Sequence, residues 1–413
     1  MRVVRIPRQN QQATSPKKRR KLLRRTVVWL VVACLAAAGG NFARPLPAAT
    51  ITLSLPSVPV PQTSSLAWPT YGQASLVDTS GGPLLTHGVQ EKIATASIAK
   101  VITALCVLQK HPLASGQIGP TLTMTEDDVT QYRLQVAQNG SHLPVYVGEQ
   151  LTQYQALQAL MIPSANNIAD TLAVWAFGSL EKYSDYANDY VRQHGLTNTR
   201  IGTADASGLD PSTVSTAEDL ARLGQLALKE PVLREIAAQR SAVFPYAGTV
   251  TNYNTKLGSA NISGIKTGNN VQNKGALLYA AAIAQIGSSD LYITGAVMGA
   301  DSLEQALESS EALVKSAAQN YEVVPYVSAR QSVGTLHTAW GATTPVITDK
   351  ALEITRLKST PLYTHTSTET TPTLNTGSVG TIELRGGDTR TGTTISQAAP
   401  VAGPSLWWRL TRH

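Results

Sequence analysis

The apolar positions of the chain change rhythm four times from one end to the other. Thr26 to Gly40 runs without a charge, extending to Ala43 through Asn41, whereas the next stretch, 44–69, spaces six prolines among Ser, Thr and Val. From about Trp68 to Tyr321 strand-like and helix-like patterns alternate. Val101 to Leu108 is apolar at almost every position, which predicts a helix buried on all sides. Leu151, Tyr154, Leu157 and Leu160 recur every three residues, a helical spacing that Pro163 ends. Ser215 with Glu218 has the form of a capping box, ahead of Leu220, Leu223 and Leu226 on one helical face. Two apolar runs, Ala276 to Ala284 and Leu291 to Met298, flank Gly287–Asp290 and predict an antiparallel hairpin. A further helix is expected from Ser302 to about Asn320. Beyond Val323 the helical period stops, and short Thr- and Val-rich segments between Gly and Pro turns predict a separate β-rich domain. The expected fold class is therefore α/β in the broad sense (α+β), in five parts: a tail (1–25), an apolar segment (26–43), a Pro-rich extended linker (44–69), a mixed domain (70–322) and a β-rich domain (323–413).

With 413 residues, 42% of them hydrophobic, the chain has material for two or three cores, which excludes a disordered or collagen-like protein. The formal net charge of +7 alone would point to nucleic acid, but its location removes that reading. Ten of the 34 Lys and Arg fall within residues 1–25, which hold no acid, so 24 cations meet 27 acids in the remainder, a net of −3. A basic tail before an apolar run is an export signal whose tail stays cytoplasmic, with everything after residue 44 outside. The eighteen residues 26–43 would span roughly 27 Å as a helix, a length open both to a retained signal anchor and to a cleaved signal peptide. Cys34 sits within that run rather than at its end, which argues against a lipoprotein site. Two cysteines make no disulfide framework, and the seven histidines show no metal-binding spacing, so no metal site is expected.

Three short motifs carry chemistry: Ser97-Ile-Ala-Lys100, Ser164-Ala-Asn166 and Lys266-Thr-Gly268. Ser-x-x-Lys occurs four times, at Ser15, Ser97, Ser179 and Ser263, and context selects among them. Ser15 precedes Pro16 in the charged tail, Ser179 follows Gly178 as a helix cap would, and Ser263 shares its lysine with Lys-Thr-Gly. Only Ser97 opens a long buried helix. Of the two Ser-x-Asn sequences, Ser259 lies too close to Lys266 to form an independent wall of a cleft, whereas Ser164 follows the helix-ending Pro163. In this order, the three motifs define an acylating serine site. A lysine three residues after a serine lies on the same helical face and can take the hydroxyl proton, provided that burial and a second cation such as Lys266 lower its pKa. Ser164 can relay protons between the two lysines, and the Asn166 amide can hold a peptide carbonyl. A strand with Lys266, Thr267 and Gly268 can pair with an extended substrate and bind its terminal carboxylate. The backbone N–H groups of Ser97 and Asn269 are the expected oxyanion donors.

On these motifs the chain resembles the serine D-alanyl-D-alanine carboxypeptidases among the low-molecular-mass penicillin-binding proteins. The resemblance extends to Ala94–Leu105, Met161–Asp170, Ser207–Asp210, Ser215–Leu220 and Gly264–Gly268, and covers roughly residues 70–320. It implies a serine β-lactamase/DD-peptidase-like domain, with an antiparallel sheet flanked by helices and a helical subdomain, before the small β-rich domain. It also implies removal of the terminal D-alanine from peptidoglycan stem pentapeptides, inhibition by β-lactams, and no metal or organic cofactor. The expected location is the outer face of the bacterial membrane, or secretion after signal cleavage. Three residues depart from the family's pattern: Thr95 stands where proline is usual, Ala99 where threonine is usual, and Asn270 where threonine often follows Lys-Thr-Gly. The family's C-terminal amphipathic anchor is reduced to Leu406–Leu410, and Trp407 and Trp408 read as the packed end of the β-rich domain.

Rival readings share parts of this chemistry. A class A β-lactamase needs a glutamate with Asn four positions on, which Glu181, Glu218, Glu230 and Glu235 all lack. An endopeptidase that cuts D-alanine cross-links would use the same residues in a differently shaped cleft. A catalytically idle wall-binding module would have no need of Ser97, Lys100, Ser164, Asn166 and Lys266 together.

Overall fold

The computed structural model describes residues 16–80, 82–270, 274–286, 289–369 and 376–412. Its helices are α1 (Pro16–Ala43), α2 (Lys100–Lys110), α3 (Glu126–Ala137), α4 (Gln153–Met161), α5 (Asn166–Phe177), α6 (Leu180–Gln193), α7 (Ala217–Lys229), α8 (Pro231–Ala237), α9 (Leu303–Asn320) and α10 (Leu406–Thr411). Local chemistry fixes their starts. Thr125 with Asp128, and Thr152 with Gln155, close reciprocal capping boxes on α3 and α4, while the Ser179 and Ser302 hydroxyls accept from the third residue of α6 and α9. Two expected starts move. Thr216, not Ser215, caps α7 by accepting from Asp219 N–H, and the Ser215 hydroxyl instead meets Thr199. Leu151 lies ahead of α4 in the short strand Gln150–Thr152, because the capping box at Thr152 begins the helix after it.

The catalytic half is built on one five-stranded antiparallel sheet, in the order Ile262–Asn270, Lys274–Ile286, Ser289–Ala300, Gln73–Asp78, Leu85–His87. The expected hairpin is its centre; within the connecting turn, residues 287 and 288 lie outside the described residues. Helix α9 packs on this sheet, as does α7. Helices α2 to α6, with α8, form the second part, with α2 at their middle, touching α4, α5, α6 and the sheet-packed α7. That placement explains why every residue from Lys100 to Leu108 is buried, and why the sequence there lacks a polar face. The Ile262–Asn270 strand is an edge of the sheet, and it runs beside the turn Ala96–Ala99 that leads into α2. The seam between sheet and helices therefore holds all three motifs.

The β-rich domain is real, but its membership differs from expectation. Its six-stranded sheet runs Thr50–Leu53, Ser332–His337, Thr343–Thr348, Thr389–Gln397, Ser378–Gly386, Leu362–Thr368, so its first strand comes from the segment read as a linker. The Pro-rich stretch is not a free spacer. Gln62 N–H donates to Lys358 O, Tyr326 Oη to Pro56 O, and the buried Arg356 guanidinium, paired with Glu322 at 2.9 Å, reaches Pro59 O. Proline has no N–H for a central strand, yet it leaves carbonyls free to accept at a sheet margin, and 44–69 is used in that way. The final strand pair, Tyr321–Val327 with Leu352–Leu357, begins before residue 323 and ties α9 to this domain.

Helix α1 has no buried share over its apolar span, Arg19–Ala43, and is long enough to cross a membrane; residues 1–15 of the tail lie outside the described residues. Helix α10 lies against its end. Asn41 Nδ2 donates to Arg412 O at 3.0 Å, and the Arg412 guanidinium donates to the Asn41 and Pro45 carbonyls at 2.7 and 3.1 Å. The two tryptophans divide: Trp408 packs edge-on to Trp340, with ring centroids 5.8 Å apart, but Trp407 is 75% exposed. The expectation that both are packed is thus corrected for Trp407.

Candidate active site

The turn Ala96–Ala99 and the first residue of α2 bring Ser97 and Lys100 onto one face, as their spacing requires. Lys100 Nζ is buried and lies 2.9 Å from Ser97 Oγ, 2.7 Å from Asn166 Oδ1 and 2.9 Å from the Ser207 carbonyl oxygen. Two of these neighbours can only accept a hydrogen bond; the third is a hydroxyl that can give its proton away. A neutral amine has two N–H donors and one lone pair, so this set fits an amine that donates to Asn166 and Ser207 and turns its lone pair to Ser97. Burial lowers the Lys100 pKa to about 7, against the opposing pull of Asp205 and Asp170. Near neutrality much of the group is then a free base. Ser97 is only half-buried and opens on a cleft of about 500 Å³ that Ser164, Asn166, Thr267 and Asn269 also line.

The second and third motifs contribute unequally. Asn166 begins α5 and is locked at both ends of its amide, because Nδ2 donates to Gln135 Oε1 at 2.8 Å while Oδ1 accepts from Lys100. Ser164 has φ +60 and a buried Oγ without a hydrogen-bond partner, which leaves it free to engage what enters the cleft. It is bonded to neither lysine. Lys266 is buried on the edge strand, and its Nζ donates to Thr267 O at 3.1 Å. Burial, and then the charge of Lys100, hold its pKa well below the ordinary value. Gly268 passes the nucleophile turn so closely that a Cβ there would stand 2.9 Å from Thr95 O. Asn269 is exposed at the cleft, and the side chain of Asn270 lies outside the described residues. All eight residues singled out from the sequence thus lie along one seam, with Lys100 in hydrogen-bond reach of both Ser97 and Asn166.

Neighbours not foreseen complete the arrangement. Gln135 on α3 fixes the Asn166 amide, and no sequence pattern marked it. Asp205 and Ser207 shape a loop against Lys100; here the spacing Asp-x-Ser-Gly was a readable cue for an Asx turn. Asp170, one turn beyond Asn166, is pushed up to about 7 by burial and by Asp205. Two departures from the family pattern also find a physical setting. Thr95 N–H donates to Thr213 O at 3.0 Å, a bond that proline lacks the hydrogen to make, and the small Ala99 leaves room for Gly208. A second cavity, about 570 Å³, opens beside Asp128, Asp170 and Trp175 but contains no serine or lysine.

An antiparallel sheet with an edge strand faces a helical subdomain, and the Ser-x-x-Lys turn lies between them. The D-alanyl-D-alanine carboxypeptidase family model matches residues 68–302, and the chain belongs to that family. It is 28% identical over 344 residues to the D-alanyl-D-alanine carboxypeptidase DacC of Escherichia coli, covering 80% of this chain and 82% of that protein. It is 30% identical over 194 residues to DacB2 of Mycobacterium tuberculosis, covering 46% of this chain and 59% of the other. Among solved structures it shares the fold of penicillin binding protein 6B from Escherichia coli, with a TM-score of 0.59 and 20% identity over 83% of this chain and 98% of that one. Penicillin binding protein 5 from Haemophilus influenzae gives 0.58 and 17% over 83% and 99%. The protein is a serine peptidase of the D-alanyl-D-alanine carboxypeptidase family.

Proposed function

We propose that the protein is a D,D-carboxypeptidase that removes the terminal D-alanine of peptidoglycan stem pentapeptides through an ester on Ser97. The observation that carries this reading is the set of three neighbours around Lys100 Nζ, two fixed acceptors and the Ser97 hydroxyl. As Ser97 Oγ attacks the carbonyl between the two D-alanines, its proton passes to the Lys100 lone pair. The substrate lies along the open side of the Ile262–Asn270 edge strand, and its carboxylate meets Thr267 and the Lys266 amine. The proton goes on to the departing amine of D-alanine by way of Ser164, whose unpartnered hydroxyl is free for that work. Water then repeats the attack on the ester, with Lys100 as base again. Backbone N–H groups of Ser97 and Asn269 stabilise the oxyanion in both halves. Because β-lactams present the same acyl group in a ring, they acylate Ser97 and stay. Helix α1 holds the enzyme on the outer face of the cytoplasmic membrane.

The test is release of D-alanine from a stem pentapeptide, set beside cleavage of a D-alanine cross-linked dimer. Carboxypeptidase action turns over the pentapeptide at least tenfold faster. Preference for the dimer would replace this reading with an endopeptidase, and failure to cleave either, in a folded protein, would leave a wall-binding module.

A further inference from the structure

One carboxylate gathers the loop that touches the nucleophile and its base. Asp205 Oδ1 accepts from Ser207 N–H at 3.0 Å, Ser207 Oγ at 3.2 Å, Gly208 N–H at 2.8 Å and Leu209 N–H at 3.3 Å. Its Oδ2 accepts from Asp210 N–H at 3.3 Å and Thr213 Oγ1 at 2.5 Å. Four contacts of the loop so folded fall on the serine–lysine turn, on Thr95 just before it, or on α2. Ser207 O accepts from Lys100 Nζ, Ala206 O from Thr103 Oγ1 at 2.7 Å, and Thr213 O from Thr95 N–H. Gly208 packs on Ala96 so tightly that a Cβ would meet Ala96 O at 2.0 Å. An asparagine could not substitute silently, since its NH₂ would face the Asp210 N–H.

We propose that Asp205 is a positioning residue for the lysine base: it shapes the loop that delivers the Ser207 carbonyl to Lys100, and its negative charge acts on that amine. This rests on the reading of Lys100 as the base. The charged groups acting at Lys100 are Asp205 on the loop and Asp170 on α5, with Lys266 on the edge strand; the Tyr183 hydroxyl on α6 and Cys106 on α2 face the same two carboxylates or each other. Asp205 and Asp170 favour the protonated amine, against its burial. Asp205 alone among them also holds the backbone that Lys100 contacts. Removing its charge therefore makes the free amine available at lower pH, and removing its acceptors slows the reaction at every pH.

The test is the pH dependence of penicillin acylation by the full chain, with folding followed by circular dichroism. In Asp205→Asn the acid limb moves about one pH unit lower while the plateau rate falls tenfold or more. Asp205→Glu keeps the limb in place and loses only rate. Thr213→Val leaves the carboxylate with one donor fewer, so the limb moves a few tenths of a unit higher; this variant decides the matter if Asp205→Asn does not fold. A folded Asp205→Asn whose limb coincides with wild type, or in its place an unmoved Thr213→Val, overturns the proposal and reduces Asp205 to a structural residue. Absence of acylation in the wild type overturns the function itself instead, so the two failures are distinct.

Discussion

In the proposed mechanism Lys100 is useful only when unprotonated, and its surroundings favour that state from several sides. Burial lowers its pKa to about 7, and two acceptors orient its N–H groups so that the lone pair faces Ser97. Since the base form is the one that lies above the pKa, acylation by penicillin is expected to be flat above about pH 7 and to fall about tenfold per unit below it. Stopped-flow acylation between pH 5 and 9 checks this. The Asn166 amide obeys a similar logic, with its orientation set by Gln135 rather than by chance. Gln135→Leu, which leaves Nδ2 without that acceptor, is expected to lower kcat ten- to a hundredfold with the fold intact, measured as D-alanine release. The spacing of Ser97 and Lys100 was legible because two residues on one helical face meet by geometry alone. Gln135 and Asp170 were not, since Gln135 meets Asn166 across 31 residues and Asp170 reaches the Lys100 site from α5, and only the packed fold brings them there.

At the scale of elements, catalysis depends on how closely the edge strand and the 205–213 loop approach the nucleophile turn. Gly208, at φ +81, is required both by that conformation and by contact with Ala96. Gly208→Ala is expected to displace the turn by about an ångström and reduce acylation at least a hundredfold, more than it lowers the melting temperature. Comparing acylation with thermal unfolding checks that split. Elements with a strong period, α2, α9 and the Lys274–Ala300 hairpin, were readable because burial on one or both faces writes itself into the sequence. Element starts were less so. The register of α7 turned on which of two adjacent hydroxyls, Ser215 or Thr216, reached the helix, and the other was drawn into a tertiary bond with Thr199.

Over the whole molecule, the chain leaves α1, straps the margin of the β-rich domain, builds the catalytic domain, and returns to finish beside α1. The strap escaped the sequence reading because prolines that accept at a sheet margin look, in composition, like those of a free linker. The Arg412 guanidinium supplies donors to carbonyls at the end of α1, where a helix leaves them unpaired. With Trp408 on Trp340, this fastens α10 both to the end of α1 and to the β-rich domain. Truncation after Pro404 is expected to destabilise the β-rich domain by about 1–2 kcal/mol, read by thermal unfolding, and to leave penicillin acylation unchanged. Full-length protein is expected to stay with membranes through alkaline carbonate extraction, and deletion of residues 16–43 to release it.

The central claim is that Ser97 forms an ester with Lys100 as its base, and intact-mass analysis of the full-length chain after penicillin tests it most directly. One adduct of the mass of penicillin on the wild type, absent in Ser97→Ala and slowed at least a thousandfold in Lys100→Ala, is the expected result. An adduct that persists in Ser97→Ala, or none on a folded wild-type protein, would contradict the account.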